Sequence, residues 1–151
     1  MMEDLRELYQ EVILDHNKNP KNFYELESSS HTAEGYNPLC GDRINIYLKV
    51  EGDIIKDISF QGSGCAISKS STSLMTTVLM GKTISEVKDL FKSFQNMITS
   101  NSDFDMDLET LGKLAVFSGV REYPVRVKCA GLAWHTMLAA LEVNEKVVST
   151  E

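Results

Sequence analysis

The chain has 151 residues, of which 42% are hydrophobic and 25% charged, with only 3 Pro and 9 Gly. This composition excludes collagen-like, low-complexity and disordered proteins, and the length predicts one domain, residues 1–151, that can bury its core without a metal or a disulfide. The formal net charge of −7 argues against nucleic acid and anionic membranes as partners, because both require a basic face.

The first predicted element is an amphipathic helix that ends within residues 16–20. Five apolar residues repeat at helical spacing: Leu5, Leu8, Tyr9, Val12 and Ile13. Such a stripe is typical of a helix with one buried face. The same segment is acidic rather than basic-then-apolar, so it does not resemble a signal peptide, and no apolar run approaches the roughly eighteen residues of a membrane span.

Two strands and a tight turn follow. Apolar residues at even positions from Ile44 to Val50 alternate with polar ones, which predicts a half-buried strand. After the turn 51–53, Ile54, Ile58 and Phe60 continue the even-position alternation, with Lys56 as the exception. The pattern predicts an antiparallel hairpin, and residues 31–39 are a candidate third strand.

Helical signals dominate from Gly64 onward. One helix should end at Gly81, and residues 83–86 form a capping-box sequence that opens the next. The polar segment 99–103 predicts an exposed loop, and a short helix is expected over residues 108–117. The last helix, residues 130–143, is apolar nearly all round and should therefore be central.

Strands that precede helices, without β-α-β alternation, predict an α+β fold. We expect a small antiparallel sheet of about three strands, with helices packed on one face.

The chain contains three cysteines, Cys40, Cys65 and Cys129, with no closely spaced pair. An odd and scattered set is a poor disulfide framework, and it indicates a reducing compartment with free or metal-bound thiols. The sequence therefore predicts a cytoplasmic protein.

Each cysteine lies in a distinctive local setting. Cys40 lies in a loop bounded by Pro38 and Gly41, which predicts a surface thiol, and Asp42 two residues later would point to the same side in an extended chain. Cys65 follows a glycine-rich turn at a predicted helix start, where the helix dipole favours the thiolate.

Cys129 is predicted to repeat the arrangement of Cys65 at the start of the last helix. Arg126 and Lys128 stand just upstream and would favour its thiolate further.

Three thiols and one carboxylate could converge on zinc or a related thiophilic metal. Their formal charge of about −4 would leave the site near −2 around a divalent ion, and Arg126 or Lys128 could offset part of the excess. The oxygen ligand of Asp42 suits exchange, because zinc is better matched to sulfur. On spacing alone, however, each cysteine is more often a small buried hydrophobe, and no signature supports pairing of a thiol with His135 as in a cysteine protease.

Four motifs occur together in this order: Asp15-His16-Asn17-Lys18-Asn19-Pro20-Lys21-Asn22, Pro38-Leu39-Cys40-Gly41-Asp42, Gly62-Ser63-Gly64-Cys65-Ala66-Ile67-Ser68, and Pro124-Val125-Arg126-Val127-Lys128-Cys129. In combination they resemble the IscU/NifU-N-terminal family of iron–sulfur cluster assembly proteins over almost the whole chain. The resemblance implies a SufE/IscU-like α+β fold in which Cys40, Asp42, Cys65 and Cys129 form the shared cluster or metal site. It also implies a cysteine desulfurase as partner.

Two differences from the scaffold branch of this family indicate the SufU branch. Lys128 stands where the scaffold branch carries a histidine, and residues 123–126 replace that branch's chaperone-recognition motif. Together with the polar region 94–111, these features resemble SufU proteins. That resemblance implies zinc bound by the three cysteines and the aspartate, persulfide sulfur accepted from a SufS-type desulfurase, and further SUF proteins or apo iron–sulfur proteins downstream.

Three functional hypotheses follow. In the first, the protein is a sulfurtransferase-like acceptor that acts with a desulfurase rather than as a stand-alone catalyst. Docking frees Cys40 from zinc, and its thiolate attacks the desulfurase persulfide by thiol exchange. Arg126 stabilises the released thiolate. In the second, the same four ligands hold a nascent [2Fe-2S] cluster as a scaffold. The third is a metal-stabilised interaction domain without sulfur chemistry.

Overall fold

A computed structural model of the chain describes residues 2–99, 108–142 and 145–149. In chain order the elements are α1 (Met2–Lys18), β1 (His31–Asn37), β2 (Asp42–Glu51), β3 (Ile54–Ser63), α2 (Ala66–Leu79), α3 (Ile84–Thr99), α4 (Leu108–Leu111), a 3₁₀ helix (Gly112–Glu122), α5 (Pro124–Glu142) and β4 (Glu145–Ser149). No helix in the described part of the chain has the length and apolar content that crossing a bilayer requires.

The described strands form one sheet in the order β3-β2-β1-β4. The pairs β1–β2 and β2–β3 are antiparallel, which confirms the predicted three-stranded sheet, and the third strand is present over His31–Asn37. β4 was not predicted from the sequence; it pairs with β1 in parallel at the outer edge.

The predicted burial of apolar residues at even positions is confirmed for β2 and wrong at the start of β3. Ile44 and Ile46 are buried as predicted, but Ile55 is fully buried whereas Ile54 is 41% exposed. The register explains the difference, because Val50 pairs with Ile55 and Lys49 with Asp57, so Lys56 is an extra residue. Such a β-bulge reverses the side-chain alternation.

The α2 and α3 predictions are confirmed. α2 ends at Leu79, and Gly81 adopts a positive φ of 85° after it. The capping box opens α3: the Thr83 N–H donates to Glu86 Oε1 at 3.0 Å, and the Glu86 N–H donates to Thr83 Oγ1 at 3.1 Å.

The region between α3 and α5 is only partly within the described residues. The predicted exposed loop lies outside them from residue 100 onward. The short helix predicted over 108–117 is present as α4 followed by the 3₁₀ helix, which continues to Glu122.

α5 is the central helix, as predicted, but its predicted start was wrong. It begins at Pro124 rather than at Ala130. Proline is favoured at the first position of a helix, since its fixed φ suits the helix and its missing N–H would have no partner there. Trp134, Leu132 and Met137 are fully buried between the sheet and the other helices.

α1 covers the core with a narrower stripe than the sequence predicted. Val12 and Ile13 pack against the core, but Leu8, which was predicted on the buried face, is 53% exposed.

Candidate metal centre

Asp42 is the most firmly held of the predicted site residues. It is the first residue of β2 and is fully buried. Its Oδ1 accepts the backbone N–H of Cys65 at 2.8 Å. Gly64 makes this close approach possible, because a Cβ at that position would lie 2.5 Å from Asp42 Oδ1. The carboxylate is therefore fixed between the sheet and the start of α2.

Cys40 lies in the connection between β1 and β2 and is exposed, as the sequence predicted. The turn after it uses Gly41, whose φ of 72° is a conformation that favours glycine. Cys40 Sγ lies 3.4 Å from Cys129 Sγ. The ligand atoms of Cys40, Asp42 and Cys129 all lie within 4.8 Å of one another.

Cys65 is the N-cap residue of α2, at the helix terminus predicted from the sequence. Its Sγ accepts the Ser68 N–H at 3.4 Å and lies 4.0 Å from Asp42 Oδ2. A hydrogen bond from Cys129, followed by the Ser68 N–H, lowers the pKa of Cys65 to about 7, against the opposing effects of burial and Asp42. The hydrogen bonds that Cys65 accepts therefore favour its thiolate.

Cys129 lies inside α5 and is buried, so the prediction that it sits at a helix start is wrong. Its hydrogen bond to Cys65, its burial and its hydrogen bond to Cys40 raise the pKa of Cys129. The predicted stabilisation of its thiolate is also wrong, because the raised pKa favours the protonated thiol, whose single proton is shared with the neighbouring sulfurs.

The two predicted cations are close to Cys129 along the chain, but neither is among the groups that shift the pKa of Cys65 or of Cys129. The Arg126 side chain is exposed, and its guanidinium carbon stands 4.4 Å from the centre of the Tyr123 ring. Lys128 is half-buried next to Cys129 in sequence. Arg126 precedes Cys129 by three residues on α5, so the two share one side of the helix.

The spacing of the donors fits a tetrahedral metal ion. With zinc–sulfur bonds of about 2.3 Å, two sulfurs on one tetrahedron lie about 3.8 Å apart. The Cys40–Cys129 sulfur distance of 3.4 Å is close to that value. Cys65 is not one of the three residues whose ligand atoms all lie within 4.8 Å of one another, and its Sγ lies 4.0 Å from Asp42 Oδ2. Three thiols and one carboxylate are also a donor set that zinc accepts. The chemistry of these donors therefore fits a zinc ion.

Sequence reasoning missed Asn37, the last residue of β1. Its Nδ2 donates to Asp42 Oδ2 at 3.3 Å and to Cys129 Sγ at 3.6 Å. From the sequence, an asparagine before Pro38 is an ordinary turn residue, and nothing in its spacing pointed to the cysteines.

Comparison with known proteins places these features in context. The model of the family described as NifU-like N terminal domain matches residues 8–130. The zinc-dependent sulfurtransferase SufU of Bacillus subtilis is 40% identical over 134 residues, which is 89% of each chain. The iron–sulfur cluster assembly scaffold protein IscU of Thermotoga maritima is 38% identical over 89% of this chain and 93% of its own.

A solved structure agrees with the fold. The crystal structure of a protein described as an iron–sulfur cluster assembly scaffold protein for the SUF system, from Fervidobacterium islandicum AW-1, superposes with a TM-score of 0.82 at 38% identity. The superposition covers 89% of this chain and 97% of that one. The α+β architecture of this chain is therefore shared with that protein.

Proposed function

The chain belongs to the family of NifU-like N-terminal domains, and on that premise we propose that it acts in iron–sulfur cluster assembly as a zinc-bound sulfur acceptor. The observation that carries the proposal is the asymmetry of the three thiols. The ligand atoms of Cys40, Cys129 and Asp42 lie within 4.8 Å of one another, and Cys65 Sγ lies 4.0 Å from Asp42 Oδ2. Of the three thiols Cys40 alone is exposed, whereas Cys129 is buried and Cys65 is intermediate. One thiol can thus meet a partner protein while the others stay in the site.

Cys40 is the acceptor in this proposal. Its thiolate attacks the outer sulfur of a persulfide on the active-site cysteine of a cysteine desulfurase. A new sulfur–sulfur bond forms on Cys40 Sγ as the old one breaks, and the partner's cysteine leaves as a thiolate. The exchange consumes no oxidant or reductant, because one persulfide replaces another.

Asp42, Cys65 and Cys129 are the remaining residues that would hold the zinc ion together with Cys40. When bound, zinc keeps its thiol ligands deprotonated at neutral pH. The N–H groups of Cys65 and Ser68 and the amide of Asn37 hold this part of the site in place. Cys40 is exposed in its loop, and its Sγ contacts the Sγ of Cys129 at 3.4 Å. This exposure supports its assignment as the group that meets the partner.

Arg126 is the second catalytic residue in this proposal. Its exposed guanidinium lies on the side of α5 that carries Cys129, against which Cys40 packs. Stacking on Tyr123 restricts this side chain. A guanidinium there can donate to the Cys40 thiolate or persulfide as negative charge develops on sulfur.

The partner we propose is a SufS-type cysteine desulfurase, with other SUF proteins or apo iron–sulfur proteins as recipients. Lys128, where scaffold proteins of the family carry histidine, favours this branch. The exchange also requires a reducing compartment such as the cytoplasm, because the three thiols must stay free of disulfides.

Replacing Cys40 tests the acceptor role. The Cys40→Ala variant should neither take up sulfur nor stimulate desulfurase turnover, while its far-ultraviolet circular dichroism stays unchanged because the side chain is exposed. Ser85→Ala is a matched control, since it also removes one heteroatom from an exposed side chain, on α3. Retained stimulation by the Cys40 variant would contradict the proposal.

A scaffold role is the second candidate, because the Thermotoga relative is named as a scaffold at nearly the same identity. The same four side chains would then hold a [2Fe-2S] cluster. Metal analysis after purification without added metal, followed by anaerobic reconstitution, separates the two. Tightly held zinc without a stable chromophore favours sulfur transfer, whereas a reproducible two-iron absorption spectrum favours scaffolding.

A further inference from the structure

Asn37 links two predicted ligands that come from different parts of the fold. Its side chain is fully buried. The Nδ2 group reaches Asp42 on β2 at 3.3 Å and Cys129 on α5 at 3.6 Å. One amide thus spans the junction between the sheet and the central helix, at the point where the site is built.

The orientation of this amide follows from its neighbours. An ionised carboxylate only accepts hydrogen bonds, so Nδ2 rather than Oδ1 must face Asp42. Oδ1 is then buried without a hydrogen-bond partner among the described residues. An unsatisfied buried acceptor destabilises a fold, and here it accompanies a donor that is directed at both ligands.

The packing of α5 on β1 brings Cys129 to this amide. Gly35 lies two residues before Asn37 on the same face of β1, and a Cβ there would overlap the hydroxyl of Thr136 and approach Leu132 Cδ1 to 3.1 Å. Leu132 and Thr136 lie three and seven residues after Cys129, on one side of α5. The missing side chain at Gly35 therefore lets the helix approach the strand, with Cys129 next to Asn37.

Resting on the proposed function, we propose that Asn37 is a positioning residue for the metal centre. It holds Asp42 and Cys129 at one point before the metal binds, and it donates a hydrogen bond to the Cys129 thiolate afterwards. Groups that hold metal ligands in this way commonly change metal affinity by about 10–100-fold when they are removed.

The Asn37→Leu variant removes the donor while nearly preserving the volume. We expect its affinity for cobalt, a spectroscopic substitute for zinc, to fall by at least tenfold. The sulfur-to-cobalt charge-transfer band should also move to longer wavelength, because a thiolate without its N–H donor gives up electrons more easily. A purely structural role would not move this band.

Asn45→Leu is the matched control, because it makes the same replacement on β2 where the side chain is only half-buried and lies on the other face of the sheet. Asn37→Ala serves as a second variant if the leucine disturbs the core. Circular dichroism confirms that each variant is folded, and competition with a chromophoric chelator gives the cobalt affinity.

The outcomes separate this inference from the proposed function. Cobalt affinity within twofold of the wild type, with an unmoved band in a folded Asn37 variant, would overturn the role of Asn37 alone. A wild-type chain that binds no cobalt would overturn the metal site itself and this inference with it. Loss of affinity and a shifted band in both Asn37 variants, but not in Asn45→Leu, supports the proposal.

Discussion

The contact between Gly64 and Asp42 can be probed with a single methyl group. Gly64 precedes the N-cap of α2, and the Cβ of an alanine there would lie 2.5 Å from Asp42 Oδ1 and 3.0 Å from Asp42 Cγ. Ordinary contacts of a Cβ begin at 3.4 Å. Since the carboxylate is fully buried, it cannot swing into solvent, and we expect the Gly64→Ala variant to displace it.

The displacement has two energetic consequences. Moving Asp42 breaks its hydrogen bond with the Cys65 N–H, which at 2.8 Å and with a charged acceptor contributes about 1.5–3 kcal/mol. Overpacking of the buried junction costs about 1–3 kcal/mol, part of which is the same displacement. We therefore expect the free energy of unfolding to fall by about 2–3 kcal/mol, and zinc affinity to fall about 10–100-fold as the ligand moves.

Urea unfolding with a chelator present measures the effect on the fold alone, and zinc competition measures the effect on the site. Gly119→Ala is the control, because a Cβ there meets no atom within 4 Å. This control should change the free energy of unfolding by less than about 1 kcal/mol, toward greater stability.

The reasoning would be refuted if Gly64→Ala were as stable as Gly119→Ala and bound zinc like the wild type. That result would mean that Asp42 can yield to a methyl group without losing its place, and that the carboxylate is not rigidly held.

Three further predictions follow from particular contacts. Thr83→Ala removes the hydroxyl that accepts the Glu86 N–H, so urea unfolding should show a loss of about 1 kcal/mol; unchanged stability would mean that the cap contributes nothing. Burial lowers the pKa of both His16 and His135 below the ordinary 6.5. As the pH falls, the unfolded chain therefore binds protons at these histidines before the folded chain does. The free energy of unfolding should be greatest above about pH 6.5 and decrease as the pH falls below it. A flat profile between about pH 7 and 5 would contradict that assignment. Arg126→Ala should slow sulfur acceptance about tenfold without loss of zinc, the effect of one charge-assisted hydrogen bond, and Arg126→Lys should recover part of the rate; an alanine variant with the wild-type rate would remove Arg126 from the reaction.

Local signals in the sequence were sufficient for most of the fold. The helical and strand periodicities located α1 to α3 and the hairpin, because side-chain burial there follows a regular period. The predicted alternation of buried and exposed residues in β3 is wrong before Lys56, since the β-bulge there adds a residue that periodicity cannot reveal. β4 is a short edge strand whose pairing depends on β1, and long-range pairing leaves no local pattern.

The residues of the candidate site were easier to predict from the sequence than their structural settings and contacts. The family resemblance predicted a site of Cys40, Asp42, Cys65 and Cys129, and the structure brings the ligand atoms of Cys40, Asp42 and Cys129 within 4.8 Å of one another. The start of α5 at Pro124 was overlooked, which misplaced Cys129 at a helix terminus. Asn37 could not be identified, because its contact with Cys129 joins residues 92 positions apart. Only the packing of α5 on β1 creates that contact.

The location of the transferred sulfur tests the central claim most directly. The chain is incubated with a SufS-type desulfurase and cysteine, and the thiols and persulfides are trapped by alkylation. The masses of its proteolytic peptides are then measured by mass spectrometry. We expect one additional sulfur atom on the peptide that contains Cys40, the only exposed thiol of the three. Additional sulfur confined to Cys65 or Cys129, or absent from all three peptides, would contradict the proposed function.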